Sequence, residues 1–213
     1  MRLFPLALLA FVAVVGVRTV TVSNRVARAA PSETPVGAGL SESRLRALLE
    51  VEDPGFYDHP GVDVMTAGSG WTTITQGLVK IHGYDDFEPG LLHWRKIEQS
   101  LAALLVNGRV AKDDQLQLFL DTAYLGTWEG RDVIGFADGA RTYYGKSLPE
   151  LSDGEFVGLV AMLAAPNAFH PLAHPEAHAE RVRRIERLLA GACEPAGWRD
   201  VMYESCARDV AAR

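Results

Sequence analysis

The 213-residue sequence predicts a mostly α-helical domain behind an apolar N-terminal segment. Three observations carry this prediction. Apolar residues recur at helical spacing through seven successive segments. Cap and stop residues stand at the ends of those segments. No run alternates as a half-buried strand would, and no internal repeat is present. The length suits one substantial domain with a tail. At 48% hydrophobic and 23% charged residues the balance is ordinary for a globular chain. The net charge of −6 argues against general nucleic-acid binding.

The first element is apolar from Leu3 to Val17; Arg18 interrupts it and "TVTV" continues it to Val22. As a membrane anchor, residues 3–22 reach the roughly 20 residues needed to cross hydrocarbon. As a secretory signal, Leu3–Val17 is the apolar region and "ARAA" (27–30) offers a cleavage site. For residues 1–29 the anchor, a transmembrane helix, is the favoured reading and the signal the alternative, because Arg25 and Arg28 make the stretch before the cleavage site long and charged; both export the remainder. "APSETPVGAG" reads as a linker, placed at 30–40. The domain proper is expected over 41–191, and 192–213 is a weakly patterned tail. That tail holds the two cysteines, Cys193 and Cys206, which an exported protein can join as a disulfide.

Within the domain, "SESRLRALLEVE" (41–52) begins at serine caps, with Leu45, Leu48 and Leu49 on one face. "WTTITQGLVKI" (71–81) places Ile74, Leu78 and Ile81 together. "LLHWRKIEQSLAALLV" (91–106) has an apolar stripe of Trp94, Ile97, Leu101, Leu104 and Leu105, expected to be the buried side. "KDDQLQLFLDTAYLG" (112–126) stops at Gly126. "DVIGFADGARTYYGK" (132–146) is a shorter helix with Gly145 as its cap. "SDGEFVGLVAMLAAP" (152–166) opens with the capping box Ser152/Glu155. "EAHAERVRRIERLLAG" (176–191) is amphipathic and stops at Gly191.

Three stretches suggest chemistry. Glu52 shares a helix face with Leu45, Leu48 and Leu49, so a carboxylate occupies a core leucine's place. Burial there raises its pKa toward the range of a general base or acid. Pro54 and Gly55 break the helix just beyond, where a cleft can open. Asp53 points elsewhere and suits a turn brace. Thr72, Thr75 and Gln76 offer hydroxyl and amide groups to a polyhydroxylated ligand, with Lys80 one turn on. Arg95 and Lys96 open the next helix as two fixed cations suited to a phosphate or pyrophosphate. His170, His174 and His178 are spaced four apart, but Pro171 and Pro175 interrupt the helix that would align them, so no metal site is expected there.

Taken in order, these segments resemble the family 51 glycosyltransferases, the peptidoglycan transglycosylase domains of monofunctional transglycosylases and penicillin-binding proteins. "EDPGFYDHPG" matches the motif E-D-x-x-F-x-x-H-x-G at Glu52, Asp53, Phe56, His59 and Gly61. "GWTTITQGLVKI" matches G-x-S-T-I-T-Q-Q-x-x-K-N at Gly70, Thr73, Ile74, Thr75, Gln76 and Lys80. Arg95 and Lys96 match the start of R-K-x-x-E. "LQLFLDTAYLG" (116–126) echoes L-E-x-Y-L-N-x-x-x-x-G, and residues 133–171 echo the fifth motif. The likeness covers about 41–190.

The resemblance implies a lysozyme-like fold of two lobes around a cleft, and lipid II and the nascent glycan chain as partners. It implies polymerisation of lipid II, with Glu52 as catalytic base and Gln99 in the second catalytic position. Asp53, Phe56, His59, Thr72, Thr73, Thr75, Gln76, Lys80, Arg95, Lys96 and Asp121 would be substrate-binding. A divalent cation (Mg2+ or Mn2+) is implied by resemblance alone. The implied location is the bacterial inner membrane, with the domain facing the periplasm or exterior and other cell-wall synthesis proteins as further partners.

The chain also departs from the pattern. Gln99 stands where the family has its second glutamate, and Glu98 lies on a different helix face. Gly77 replaces Gln, Ile81 replaces Asn, Thr72 replaces Ser and Asp121 replaces Asn. The insert "HGYDDFEPGLLH" (82–93) lacks the family's arginine. These departures keep three expectations open. The first is an active transferase of reduced or altered activity. The second is a degenerate glycan- or lipid II-binding scaffold. The third is a lysozyme-like hydrolase that draws a second carboxylate from Asp121 or Glu98.

Overall fold

The computed structural model describes residues 3–30, 37, 39–85 and 94–207. Most of the linker and residues 86–93 of the acidic insert lie outside them. Among the described residues the chain runs α1 (Leu3–Ala29), α2 (Glu42–Glu52), α3 (Ile74–Gly83), α4 (Trp94–Asn107), α5 (Lys112–Thr122), β1 (Tyr124–Trp128), β2 (Arg131–Ile134), α6 (Phe136–Tyr144), α7 (Asp153–Met162) and α8 (Pro175–Leu189). Short 3-10 turns follow α6 and close the C-terminal segment. The fold is mostly helical, as expected.

The N-terminal segment is less separate from the domain than its sequence suggests. The second half of α1 packs against α3 and α4, burying Val22 and Val26 together with Thr19 and Ser23. Gly83 makes the close approach possible, because a Cβ there would stand 2.5 Å from a Val22 methyl. Arg109 donates to Ser23 Oγ (3.0 Å) and Asn24 Oδ1 (2.7 Å). Among the described residues no helix is long and apolar enough to cross a membrane.

α2 starts at Ser41, whose hydroxyl accepts from the Arg44 amide. It buries Leu48 and Val51 against α7 and α8. α3 starts at Thr73 rather than Trp71, because Thr73 and Gln76 close a full capping box. Trp71 and Thr72 therefore belong to the preceding turn. α7 opens at the expected Ser152/Glu155 box and is buried on nearly every side.

Two expectations fail. The stripe of α4 is inverted: Ile97, Leu101 and Leu104 face outward, at 52%, 41% and 42% exposed, while Glu98, Gln99, Ala102, Ala103 and Val106 are buried. The small alanines let neighbours come close, since a Cβ at Gly61 would meet the Ala103 carbonyl oxygen at 2.7 Å. Periodicity defined the two faces correctly but not which one the fold covers. Second, the helices expected at 112–126 and 132–146 are interrupted by an antiparallel hairpin, with Trp128 paired to Arg131. Glu129 and Gly130 form its two-residue turn, both at positive φ (51° and 77°), as a type I′ turn requires. An irregularity between Tyr124 and Thr127 breaks the strand alternation, so no period-2 signal survives.

A disulfide joins Cys193 to Cys206 across a Cα–Cα distance of 5.5 Å. It closes a segment that the sequence left as tail but that packs on the domain. Tyr203 and Cys206 are fully buried, and the Gly68 and Gly70 amides donate to the Gly197 (3.1 Å) and Trp198 (2.8 Å) carbonyls.

Candidate active site

The last residue of α2, Glu52, lines a cavity of about 390 Å³. Its other walls come from the turn 68–73, from Ile74, Gly77 and Lys80 of α3, from Phe119 of α5, from Leu163 and Ala164 after α7, and from Val201 of the disulfide-closed segment. Glu52 retains a little accessible surface, while protein surrounds its carboxylate on the remaining sides. Burial lifts its pKa from 4.5 to about 7; the Arg181 charge opposes that rise and the Asp53 charge adds to it.

Arg181 is the main residue that sequence reasoning missed. It is 2% exposed, and its guanidinium carbon lies 4.8 Å from the Tyr203 ring centre and 5.9 Å from that of Phe169. Its Nε and Nη1 are buried without a hydrogen-bond partner. The Tyr203 hydroxyl donates to the Val51 carbonyl (2.5 Å), clamping the end of α2 from the far side. A signal for Arg181 exists in the sequence. It shares the apolar phase of α8 with Ile185 and Leu188, just as Glu52 shares that of α2.

Of the residues expected to be catalytic or substrate-binding, Glu52, Thr72, Thr73 and Lys80 line the cavity. Lys96 joins them at the rim, its ammonium 3.3 Å from Thr72 Oγ1. Burial lowers the Lys96 pKa, and the like charge of Lys80 lowers it further, so two ammoniums share one neighbourhood. Arg95 instead lines a second cavity, with Arg18, Arg25 and Tyr84.

The remaining motif residues hold the frame. Asp53 is fully buried; it binds His59 Nε2 (2.8 Å) and accepts from the Ile74 amide (2.9 Å), tying α2 to the start of α3. Phe56 is a core residue, with the Lys112 ammonium 4.4 Å from its ring centre. Thr73 also donates to the Gly61 carbonyl (2.7 Å). Gln76 donates to Ser100 Oγ (2.9 Å), and Thr75 donates to Gln115 Oε1 (2.7 Å). Asp121 is exposed, accepts from Gln117 Nε2 (2.9 Å) and does not line the cavity.

Gln99 is fully buried beneath α3, where its Nε2 donates to the Gln76 carbonyl (2.6 Å) and its Oε1 finds no partner. Glu98 is equally buried and takes a two-pronged ion pair from Arg18 (2.9 and 3.3 Å). Neither lines the cavity. Among the described residues no group of three or more His, Cys, Asp or Glu could hold a metal ion. Glu52 is the one carboxylate that the described residues place on the cavity wall. The histidines are likewise apart in role: His170 packs between Trp128 and Tyr143, while His178 Nδ1 bonds the Phe169 carbonyl.

A carboxylate titrating near neutrality can take a proton from a hydroxyl, and the Lys80 ammonium on the same cavity wall, with Lys96 at the rim, can neutralise an anionic leaving group. Comparison with known proteins agrees. The family model described as "Transglycosylase" matches residues 23–190. Penicillin-binding protein 1B of Escherichia coli is 30% identical over 165 residues, 71% of this chain and 19% of that protein. Penicillin-binding protein 1B of Vibrio cholerae is 32% identical over 157 residues, 67% of this chain and 20% of that protein. A Cupriavidus necator protein named "Putative transglycosylase" is 31% identical over 175 residues, 76% of this chain and 72% of its own length. The chain thus spans about a fifth of the two penicillin-binding proteins. Motifs, helical fold and family match together establish that the chain belongs to the transglycosylase family, glycosyltransferase family 51.

Proposed function

We propose that the protein is a peptidoglycan glycosyltransferase that extends glycan strands from lipid II. The observation that carries this reading is Glu52, held on the cavity wall with its pKa lifted to about 7. At neutral pH a large fraction is carboxylate, basic enough to accept the proton of the acceptor's 4-hydroxyl. The freed oxygen attacks the donor's anomeric carbon with inversion, and the bond to the lipid pyrophosphate breaks. Lys80 and Lys96 neutralise the charge that departs. Arg181, too buried to touch substrate, favours the carboxylate form of Glu52 before the attack. The reading includes a lysozyme-like pair of lobes, α1, α3 and α4 in one and α2 and α5–α8 in the other, with the cavity between them.

A membrane-bound location is part of the same proposal, because lipid II is a membrane lipid. It is supported by the outward stripe Ile97, Leu101 and Leu104 on α4 and by exposed Val17 and Val20 on α1. That face would rest on the outer leaflet of the inner membrane, with the cavity on the periplasmic side.

Gln99 favours a second reading, a lipid II- or glycan-binding scaffold without turnover. Glu52 is the one carboxylate among the described residues that line the cavity. A hydrolase, which needs a second carboxylate, fits less well, since Glu98 is bound to Arg18 and Asp121 to Gln117. The deciding experiment is polymerisation of lipid II by the purified chain and by Glu52→Gln. Turnover lost in the variant supports the transferase. Lipid II binding by both forms with turnover by neither would replace it with the scaffold.

A further inference from the structure

Two tryptophans from distant parts of the chain meet at the mouth of the cavity. Trp71 precedes α3 and Trp198 lies in the disulfide-closed segment; their ring centres are 4.5 Å apart at an interplanar angle of 77°. The Arg199 guanidinium carbon is 4.7 Å from the Trp198 ring centre and 5.5 Å from that of Trp71. Trp71 is nevertheless 63% exposed, and it lines the same cavity as Glu52 and Thr72. Leaving so large an aromatic in water forfeits most of its burial energy.

The backbone beneath this cluster is held firmly. The Gly70 amide donates to the Trp198 carbonyl, and a Cβ at Gly70 would stand 2.5 Å from a Val201 methyl. Asp200 accepts from the Ala196, Glu204 and Ser205 amides, and the disulfide closes the segment. The result is a prearranged, part-apolar platform with a guanidinium at its edge. A ligand that fits it is flat, apolar on its faces and rich in acceptors around its rim. A pyranose ring carrying an acetamido group has that character, stacking its C–H face on Trp71 and turning its oxygens to Arg199 and Thr72.

We propose that Trp71, Trp198 and Arg199 form a saccharide subsite at the cavity mouth, taking an N-acetylhexosamine ring of the glycan beside those on which Glu52 acts. This rests on the glycan reading of the cavity above, but its test reads binding and needs no turnover. The probe is the tetramer of β-1,4-linked N-acetylglucosamine, titrated into the full chain while tryptophan fluorescence is followed. The wild type and Glu52→Gln are expected to bind alike. Trp71→Ala, a change at a side chain 63% exposed, is expected to weaken binding at least tenfold with urea stability unchanged, and Trp71→Phe to recover most of the binding. Equal affinity of wild type and Trp71→Ala would overturn the subsite and leave the transferase standing if lipid II is still polymerised. Absent polymerisation with binding still dependent on Trp71 would remove the transferase and keep the subsite. Weaker attachment of Trp71→Ala to phosphatidylglycerol vesicles, with saccharide affinity unchanged, would make the platform a membrane contact and overturn the proposal.

Discussion

A glutamate with its pKa lifted to about 7 weakens the protein in a pH-dependent way, and Glu52→Gln isolates that effect. Between pH 4.5 and 7 the native state holds the Glu52 proton and the unfolded chain has released it. The native state then binds one proton more, so stability falls by about 1.4 kcal/mol per pH unit as pH rises. The contribution is fully present below pH 4.5 and lost as pH passes through about 7. The lift from 4.5 to about 7 corresponds to about 3 kcal/mol. A glutamine side chain resembles protonated glutamate in shape and does not titrate. The variant is therefore expected to match the wild type at pH 4 and to exceed it by about 3 kcal/mol at pH 8, roughly 6–12 °C in Tm for a chain of this size. Urea unfolding followed by tryptophan emission, at five pH values from 4 to 8, measures both proteins. Stability curves that stay parallel across the range would refute the burial of the Glu52 charge, and with it the physical basis for its role as base. Direct titration of the carboxyl by NMR at about 4.5 would do the same.

Further predictions follow from the buried polar groups and the disulfide. Gln99→Glu would set a carboxylate oxygen against the Gln76 carbonyl that now accepts from Nε2, so it is expected to cost about 1–3 kcal/mol, more at high pH than at low, in the same urea assay. Arg18→Ala leaves the fully buried Glu98 without its ion pair; because the Arg18 side chain is itself 51% exposed, about 2 kcal/mol is expected, below the full cost of breaking a buried pair, with α1 becoming more open to limited proteolysis. Reducing Cys193–Cys206 frees a loop of 13-residue separation and should cost about 3 kcal/mol, with faster amide exchange at Gly68 and Gly70, whose hydrogen bonds reach that loop.

Helical periodicity and end caps located most of the helices in this chain because those signals are local. Ser41, Thr73 and Ser152 bond backbone amides within four residues, so their effect can be read directly from the sequence. Glu52 was legible for a related reason: a charge in the apolar phase of a helix is either costly or useful, and spacing alone reveals it. The same rule applies to Arg181 but was masked by Arg183, Arg184 and Arg187 around it. The hairpin at 124–134 left too little alternation to be seen.

What the sequence could not specify is which face meets which partner. On α4 the leucine stripe and the alanine face are equally clear in the spacing, but only contact with α1, α3 and the Gly61 loop decided that the alanines go inward. Asp53, His59, Thr75 and Gln76 look like ligand-binding groups because they are polar, yet most of their partners lie outside their own helical turns. Those partners turn them into struts, while Thr72, Lys80 and Lys96 are left at the cavity. By itself the sequence determined the mostly helical fold, the order of the motifs and a carboxylate in an apolar phase. Tertiary structure decided the rest by bringing Arg181, Tyr203 and Val201 to a glutamate more than 120 residues away. Long-range packing and hydrogen bonding leave no periodic trace in the chain that makes them.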